Sequence, residues 1–231
     1  MSDHRERTNE VRQRPALSRL YRGLSRLVPS DITVVLALDC RARSPLAEPI
    51  CVDPDVTLIL RDEAAIRRAA TSDEPDIADM LPRLGETSAT LHGVVARHGG
   101  RAIGHAWFAR DRVDATLNTG GNRFAGIGVE LPPSACYVFR VQVAQAWQGH
   151  GVAAAMLDHG LGHLPGPPLD TAVTTTEWTN LGFRRVAGRL GFRQVGWAAE
   201  FVVGLRHVYR LPKPLARGGD DRPIRLVHGS V

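Results

Sequence analysis

The sequence predicts an α/β fold of the α+β type, with strands and helices interleaved along most of the chain. Runs rich in β-branched and aromatic residues predict strands at residues 31–39, 56–60, 91–96, 102–109, 136–144, 170–176, 193–203 and 206–211. Apolar residues at helical spacing and Ala-rich stretches predict helices near residues 16–28, 63–70, 151–164 and 181–190. The third and fourth strands are close enough along the chain to form a hairpin.

The 231 residues fit one domain with extensions at its ends. Residues 1–54 are expected to form an N-terminal extension made of the first helix, the first strand and a proline-rich connector. Residues 55–212 hold the remaining elements and form the core domain. Residues 213–231, with their glycine, proline and charged residues, are expected to form a flexible tail.

The first predicted helix, residues 16–28, carries an apolar stripe with arginines outside it. Most helices with such a stripe pack on their own domain. The alternative is that the helix lies on an anionic membrane surface.

The composition is that of a globular protein, with 43% hydrophobic and 23% charged residues. No apolar run reaches the roughly 18–20 residues that span a bilayer, and the polar start does not resemble a signal peptide. The three cysteines form no close pair, so we expect neither a disulfide framework nor a zinc knuckle, and a cytoplasmic location. A net charge of +5 favours anionic ligands but is too small to indicate nucleic acid.

A glycine loop between a strand and a helix is the most informative local pattern. The strand at 136–144 is followed by Gln148, Gly149, His150 and Gly151, and then by an Ala-rich helix. Glycines let the main chain approach a ligand, and the amides at a helix start attract negative charge. Because the loop offers no Ser, Thr, Asp or Asn as a cap, these amides must bond water or a ligand. The pattern predicts a pyrophosphate site, and a plain turn is the alternative.

A second pattern lies downstream of the loop. Asn180 precedes a short helix, which ends at Gly191 and is followed by Phe192. Gly191 occupies the position where a helix C-cap needs a positive φ, and Phe192 begins the next strand.

Together the two patterns resemble the GNAT superfamily of acyl-CoA-dependent N-acyltransferases. Gln148, Gly151 and Ala153 match its phosphate loop, and the spacing from Asn to Gly-Phe matches its next signature. The resemblance covers about residues 55–212 and implies a mixed, largely antiparallel sheet flanked by helices. It also implies an enzyme that transfers an acetyl or other acyl group to an amine, with acetyl-CoA or another acyl-CoA as co-substrate.

The resemblance also implies which residues hold that co-substrate. In the family, the strand before the loop pairs with pantetheine and supplies the amide that stabilises the thioester oxyanion, which points to Val141, Gln142 and Val143. Asn180 is expected to reach the pantetheine arm or the acceptor side. The phosphate-binding residues are expected to be Gln148, Gly149, His150, Gly151, Val152 and Ala153, with the His150 side chain facing solvent.

Catalysis requires a neutral amine, so a base or a water chain must remove its proton. Glu177 is the candidate general base, because it follows the strand at 170–176 and precedes Asn180 by three residues. The alternative is that Glu177 caps the next helix or faces solvent. The family's usual general acid is a Tyr seven residues after the motif Asn. Ala187 stands there, which puts this acid in question without affecting CoA binding.

A metal site and a non-catalytic protein are the two other interpretations of this sequence. His159 and His163 are four residues apart, as metal-binding pairs on a helix are, but Gly160 replaces the Glu of a metalloprotease helix and no third ligand stands out. No metal is therefore expected. A non-catalytic CoA-binding or membrane-associated adaptor with the same fold is the alternative to an enzyme. The expected partner is an amine-bearing substrate, and a homodimer is left open.

Overall fold

The computed structural model describes residues 30–43, 53–71, 90–113, 127–203, 206–215 and 223–228. Within these ranges the helices are α1 (Glu63–Thr71), α2 (Val152–His163) and α3 (Leu181–Arg189), and a 3-10 turn spans Gln145–Trp147. The strands are β1 (Ser30–Asp39), β2 (Val56–Asp62), β3 (Thr90–His98), β4 (Arg101–Arg110), β5 (Arg112–Val113), β6 (Ile127–Glu130), β7 (Ala135–Val143), β8 (Thr171–Glu177), β9 (Arg193–Val203), β10 (Arg206–Arg210) and β11 (Arg225–His228).

These bounds confirm the strands and helices predicted between residues 31 and 211, to within a few residues at each end, whereas β5, β6 and β11 were not predicted. The predicted helix at residues 16–28 and most of the proline-rich connector lie outside the described residues. No helix in the described part of the chain is both long enough and apolar enough to cross a membrane.

The main sheet has the order β10-β9-β1-β8-β7-β4-β3-β2. Strands β7 and β8 run parallel, and the other neighbours are antiparallel. Helices pack on this sheet, so the expected mixed, largely antiparallel sheet flanked by helices is confirmed.

The first strand, β1, lies in the interior of the sheet. It pairs with β8 from Thr33 opposite Glu177 to Asp39 opposite Thr171, and its other edge pairs with β9. Val35 of β1 has no solvent exposure. The strand predicted at residues 31–39 is thus confirmed as a strand, and it completes the core sheet by joining β8 to β9.

Two apolar cores lie on opposite faces of the sheet. We call the face packed against α2 and α3 the helix face; it includes Phe108, Val138, Met156 and Leu190. The opposite face packs against α1 and a small second sheet, and we call it the small-sheet face. Its buried side chains include Val35, Ile66, Trp107, Tyr137, Phe139 and Val173.

The small second sheet has the order β11-β6-β5 and corrects one prediction. A flexible tail was expected over residues 213–231, but β11 pairs with β6, and Leu215 bridges to Ile224. Ile224 is fully buried and Leu226 is 7% exposed. The prediction is wrong for residues 223–228, because two apolar side chains spaced two apart on a strand share one face and are buried together.

Candidate active site

A gap between two parallel strands is the central feature of the site. Among the described residues, β7 and β8 pair from Ala135 opposite Thr171 to Val138 opposite Thr174, and no further. Each strand then continues without the other, to Val143 and to Glu177. We call the gap beyond the last paired residues the β7–β8 wedge. The backbone of β7 beyond Val138 therefore offers hydrogen-bonding groups on a side that β8 no longer occupies.

A β-bulge accompanies the wedge. On its other edge β7 pairs with β4, and the register shifts so that Ala106 of β4 lies opposite both Arg140 and Val141. Arg140 has a positive φ of 47°, which is uncommon for a residue other than glycine. A bulge bends its strand, and this one lies where β7 leaves β8.

The glycine loop lies between the end of β7 and the start of α2. Gly149 and Gly151 have φ values of 86° and 82°, which side chains other than glycine rarely adopt. The first backbone hydrogen bond of α2 runs from the Ala155 N–H to the Gly151 carbonyl, at 2.9 Å, and the Gly151 cap position supplies no side-chain bond. The amides of Val152 and Ala153 are thus among those that a helix leaves without an intrahelical acceptor, which makes the loop suited to bind an anion.

Two contacts hold the loop in place. The Gln148 side chain donates from Nε2 to the Val143 carbonyl at 3.2 Å, which ties the loop back to the end of β7. The Trp147 ring contacts the rings of His98 and His150, with centroids 4.6 and 5.9 Å away. The His150 side chain is exposed, with Nδ1 3.1 Å from the Gln148 carbonyl oxygen.

Asn180 caps the helix that follows β8. Its Oδ1 accepts the Phe183 N–H at 3.1 Å, so α3 begins with a side-chain cap where α2 does not. Because Oδ1 serves as this cap, Nδ2 is the part of the amide that a ligand would contact. Ala187, at the position of the family's usual Tyr, is fully buried in the core under α3.

Glu177, the candidate base, ends β8 at the open end of the wedge. Its partner in β1 is Thr33, while Val35 and Thr175 form the equivalent pair two residues away. Because side chains alternate along a strand, Glu177 lies on the same face as Thr175. Its carboxylate is exposed and accepts the Thr179 hydroxyl at 3.3 Å. The helix cap is Asn180, so the alternative that Glu177 caps α3 through its side chain is not what the structure contains.

Two side chains on the small-sheet face were not singled out from the sequence. The Tyr137 hydroxyl of β7 and the Thr175 hydroxyl of β8 are hydrogen-bonded across the last paired residues of the two strands. Tyr137 also stacks on Phe139, with ring centroids 6.0 Å apart and an 18° angle between the planes. This pair lies at the closed end of the wedge, beside the last paired residues of β7 and β8. Tyr137 is fully buried and Thr175 is half-buried.

His105 of β4 was also missed, and it lies beside the bulge. It is paired with Gln142 and is 6% exposed. Burial and, secondarily, the positive charge of Arg140 lower the pKa of His105 to about 4. The imidazole is therefore neutral at physiological pH. The bulge at Arg140 was not recognisable from the sequence, because it lacks the glycine that commonly marks one. His105 was not recognisable either, because its place in the site depends on that bulge.

Two histidine-containing groups resemble metal sites in outline. His159 and His163 stack with ring centroids 4.4 Å apart, and Nδ1 of His163 is 2.8 Å from the His159 carbonyl oxygen of the same helix. Elsewhere in the described ranges, Asp53, Asp55 and His98 bring their side-chain ligand atoms within 4.8 Å of one another. All three are at least partly exposed, and such acidic groups are common on protein surfaces without an ion.

The fold and the site together define an α/β protein with a glycine loop and an uncapped helix start at the end of two diverging parallel strands. The chain belongs to the acetyltransferase (GNAT) family, whose model matches residues 58–192. The family resemblance predicted from the two sequence patterns is thereby confirmed. No curated protein gives a match to the chain.

Several solved structures are similar in fold. A GCN5-related N-acetyltransferase from Kribbella flavida is 16% identical, with 78% of this chain and 61% of that chain covered and a TM-score of 0.43. For the tandem GNAT protein from the clavulanic acid biosynthesis pathway the identity is 17%, the coverages are 82% and 59%, and the TM-score is 0.47. A GCN5-related N-acetyltransferase-like protein from Streptococcus suis is 13% identical, with 82% of this chain and 69% of that chain covered and a TM-score of 0.44. The chain thus spans about three-fifths of the length of the first two.

Proposed function

We propose that this protein transfers an acetyl or related acyl group from acyl-CoA to an amine by direct attack of the amine on the thioester. The observation that carries the proposal is the uncapped N-terminus of α2, placed by a glycine loop at the open end of the β7–β8 wedge. The helix start suits the pyrophosphate, and the wedge suits an extended arm. Membership of the acetyltransferase family supports the same assignment.

In this proposal the loop holds the pyrophosphate through backbone amides. Gly149 and Gly151 bring the main chain close to the phosphates, and the amides of Val152 and Ala153 point from the helix start. The remaining members of the phosphate site are Gln148, which fixes the loop to β7, and His150, whose exposed ring lies at the loop surface.

The pantetheine arm would follow the edge of β7 that faces the wedge. Val141, Gln142 and Val143 offer backbone groups to its amides, as an added strand would. As the amine attacks, the thioester oxygen gains negative charge, which a backbone N–H of this segment stabilises. Asn180 would contact the arm through Nδ2 from the other side of the wedge, at the start of α3.

Proton transfer is assigned to Glu177 and to water. Glu177 would take the proton of the attacking amine, directly or through a water molecule, from its exposed place at the end of β8. A CoA thiolate, with a pKa near that of cysteine at about 8.5, is a much better leaving group than an alkoxide. The thiolate can therefore depart and be protonated by water, which is consistent with the methyl group of Ala187 in place of a tyrosine hydroxyl.

The amine-bearing substrate is the partner that this chemistry requires. The cytoplasm is the proposed location, because the three cysteines form no close pair along the sequence, which a reducing compartment permits.

Binding of CoA can be tested at the loop. Gly151→Glu would place a side chain and a negative charge where the pyrophosphate binds, on a backbone with φ of 82°. Wild-type protein at acetyl-CoA concentrations near 100 times Kd should gain about 2.7 kcal/mol of stability, seen as a rise in Tm, and the variant should gain almost none. Gly162→Glu in the last turn of the same helix is the matched control, because its Cβ meets open space. Equal Tm shifts in wild type and Gly151→Glu would exclude the loop as the CoA site.

The non-catalytic adaptor is the alternative that needs a separate measurement. A panel of small amines, amino sugars and peptides with free amino groups would be incubated with acetyl-CoA and the protein, and thiol release followed over time. An enzyme releases thiol only with a suitable amine, and an adaptor binds acetyl-CoA in the thermal-shift assay without releasing thiol under any of these conditions.

A further inference from the structure

The closed end of the β7–β8 wedge is built differently from the rest of it. Val138 and Thr174 are the last paired residues of the two strands, and Tyr137 and Thr175 lie one step before and one step after them. Their hydroxyl groups are hydrogen-bonded to each other. A side-chain bond thus continues the connection between β7 and β8 one residue beyond the point where the backbone ladder ends.

This end of the wedge is also filled. Tyr137 is fully buried, and Phe139, two residues further along β7, is 4% exposed and stacks on the Tyr137 ring. Val35 and Val173 pack in the same core and are fully buried. Protein interiors pack at the density of organic crystals, so an added methylene group here would have to displace a ring or a strand.

The direction of the ligand rests on the proposed function. With the pyrophosphate at the start of α2, the pantetheine arm runs back along β7 from Val143 toward Phe139. Four residues of a strand span roughly 13 Å at about 3.3 Å each, so the arm and its thioester lie along this stretch. The acyl group is the last part of the ligand and points at the Tyr137–Thr175 pair.

We propose that the Tyr137–Thr175 hydroxyl pair closes the wedge beyond the thioester and restricts the acyl group to short chains such as acetyl. The two residues determine specificity and take no part in proton transfer. Thr175 is the half-buried member, and its hydroxyl and methyl groups form the surface against which the acyl group ends. A closely fitting pocket discriminates by about 10- to 200-fold between two ligands that differ by one methylene group.

The test measures binding of a series of CoA thioesters without an amine, by calorimetry. Wild-type protein should bind acetyl-CoA at least about 10-fold more tightly than butyryl-CoA, which is longer by two methylene groups. The double variant Tyr137→Phe, Thr175→Ala removes both hydroxyls, so neither is left buried without a partner, and the single variant Thr175→Ala opens the same space with one change. In both, the ratio of the two Kd values should fall by about 10-fold or more.

Thr176→Ala is the matched control, because Thr176 is the next residue of β8 and lies on the opposite face. It should keep the wild-type ratio. Binding of free CoA distinguishes the proposed function from the specificity assignment. If neither CoA nor any of its thioesters binds, the proposed function fails. If CoA and acetyl-CoA bind but butyryl-CoA binds equally well to wild type, or if Thr175→Ala leaves the ratio unchanged, the specificity assignment is overturned.

Discussion

Gly160 of α2 lies directly against the ring of Phe108 in β4. A Cβ atom at Gly160 would be 2.2 Å from Cζ of that ring, and Phe108 is fully buried. The glycine thus sets how closely α2 approaches the sheet, and α2 carries the loop at its N-terminus. We predict that Gly160→Ala lowers the free energy of unfolding by about 1–3 kcal/mol, although alanine is the better helix former.

Gly162→Ala is the control for that substitution. Gly162 lies on the same helix, and a Cβ atom there would meet open space. Only helix propensity should therefore change, and the free energy of unfolding should rise by up to about 1 kcal/mol. Denaturant unfolding of both variants measures the difference. Equal effects of the two substitutions would mean that α2 shifts freely over Phe108.

The buried imidazole of His105 predicts a dependence of stability on pH. Its folded pKa is lowered to about 4, whereas an unfolded chain has a histidine pKa near 6.5. The unfolded state therefore binds more protons between these values, and stability falls as the pH drops from about 6.5 to about 4. At pH 4.5 the loss relative to pH 7 should be about 2 kcal/mol from this group.

His105→Gln measures that contribution. Gln has no proton to gain, so the variant should lose about 2 kcal/mol less than wild type between pH 7 and pH 4.5, whatever its stability at pH 7. Unfolding in urea at the two pH values gives the numbers. Parallel losses in both proteins would show that His105 is protonated equally in the folded and unfolded states.

The assignment of Glu177 as general base predicts a loss of turnover without a loss of binding. Glu177→Gln should reduce thiol release from acetyl-CoA with an accepted amine by about 10²-fold, because the amine is mostly protonated at neutral pH and a Gln side chain cannot take its proton. Turnover should recover in part at high pH, and Kd for acetyl-CoA should stay the same. Glu130→Gln in the small sheet serves as a control for removal of a carboxylate. Turnover unchanged from pH 6 to 9 would indicate a water chain instead.

The position of β1 predicts that the N-terminal strand is required for folding. A chain that begins at residue 44 lacks β1, so the facing edges of β8 and β9 lose their hydrogen-bond partners. It also loses Arg43, which forms an ion pair with Asp158 of α2. We expect this chain to be poorly soluble and to show no cooperative melting by circular dichroism, whereas a chain that begins at Ser30 should melt cooperatively. A chain from residue 44 that melts like the parent would contradict the role of β1.

Local patterns in the sequence determined the elements and the two motifs. The order of the strands and helices predicted between residues 31 and 211 follows from hydrophobic spacing, which reports on the nearest neighbours along the chain. The glycine loop was recognisable because the positive φ values of Gly149 and Gly151 require that residue type. Asn180 was recognisable as a motif residue from its spacing to Gly191 and Phe192, and the structure shows that its side chain caps α3.

Tertiary structure alone decided which strands meet. The backbone of one strand can pair with that of almost any other strand of similar apolar pattern. For this reason residues 31–39 contain no local sign of a place between β8 and β9. Residues 225–228 likewise contain no local sign of pairing with β6. The bulge at Arg140 and the hydroxyl pair of Tyr137 and Thr175 depend on where β7 parts from β8. That point is set by the packing of both sheet faces at once, and the spacing of residues along one strand does not contain it.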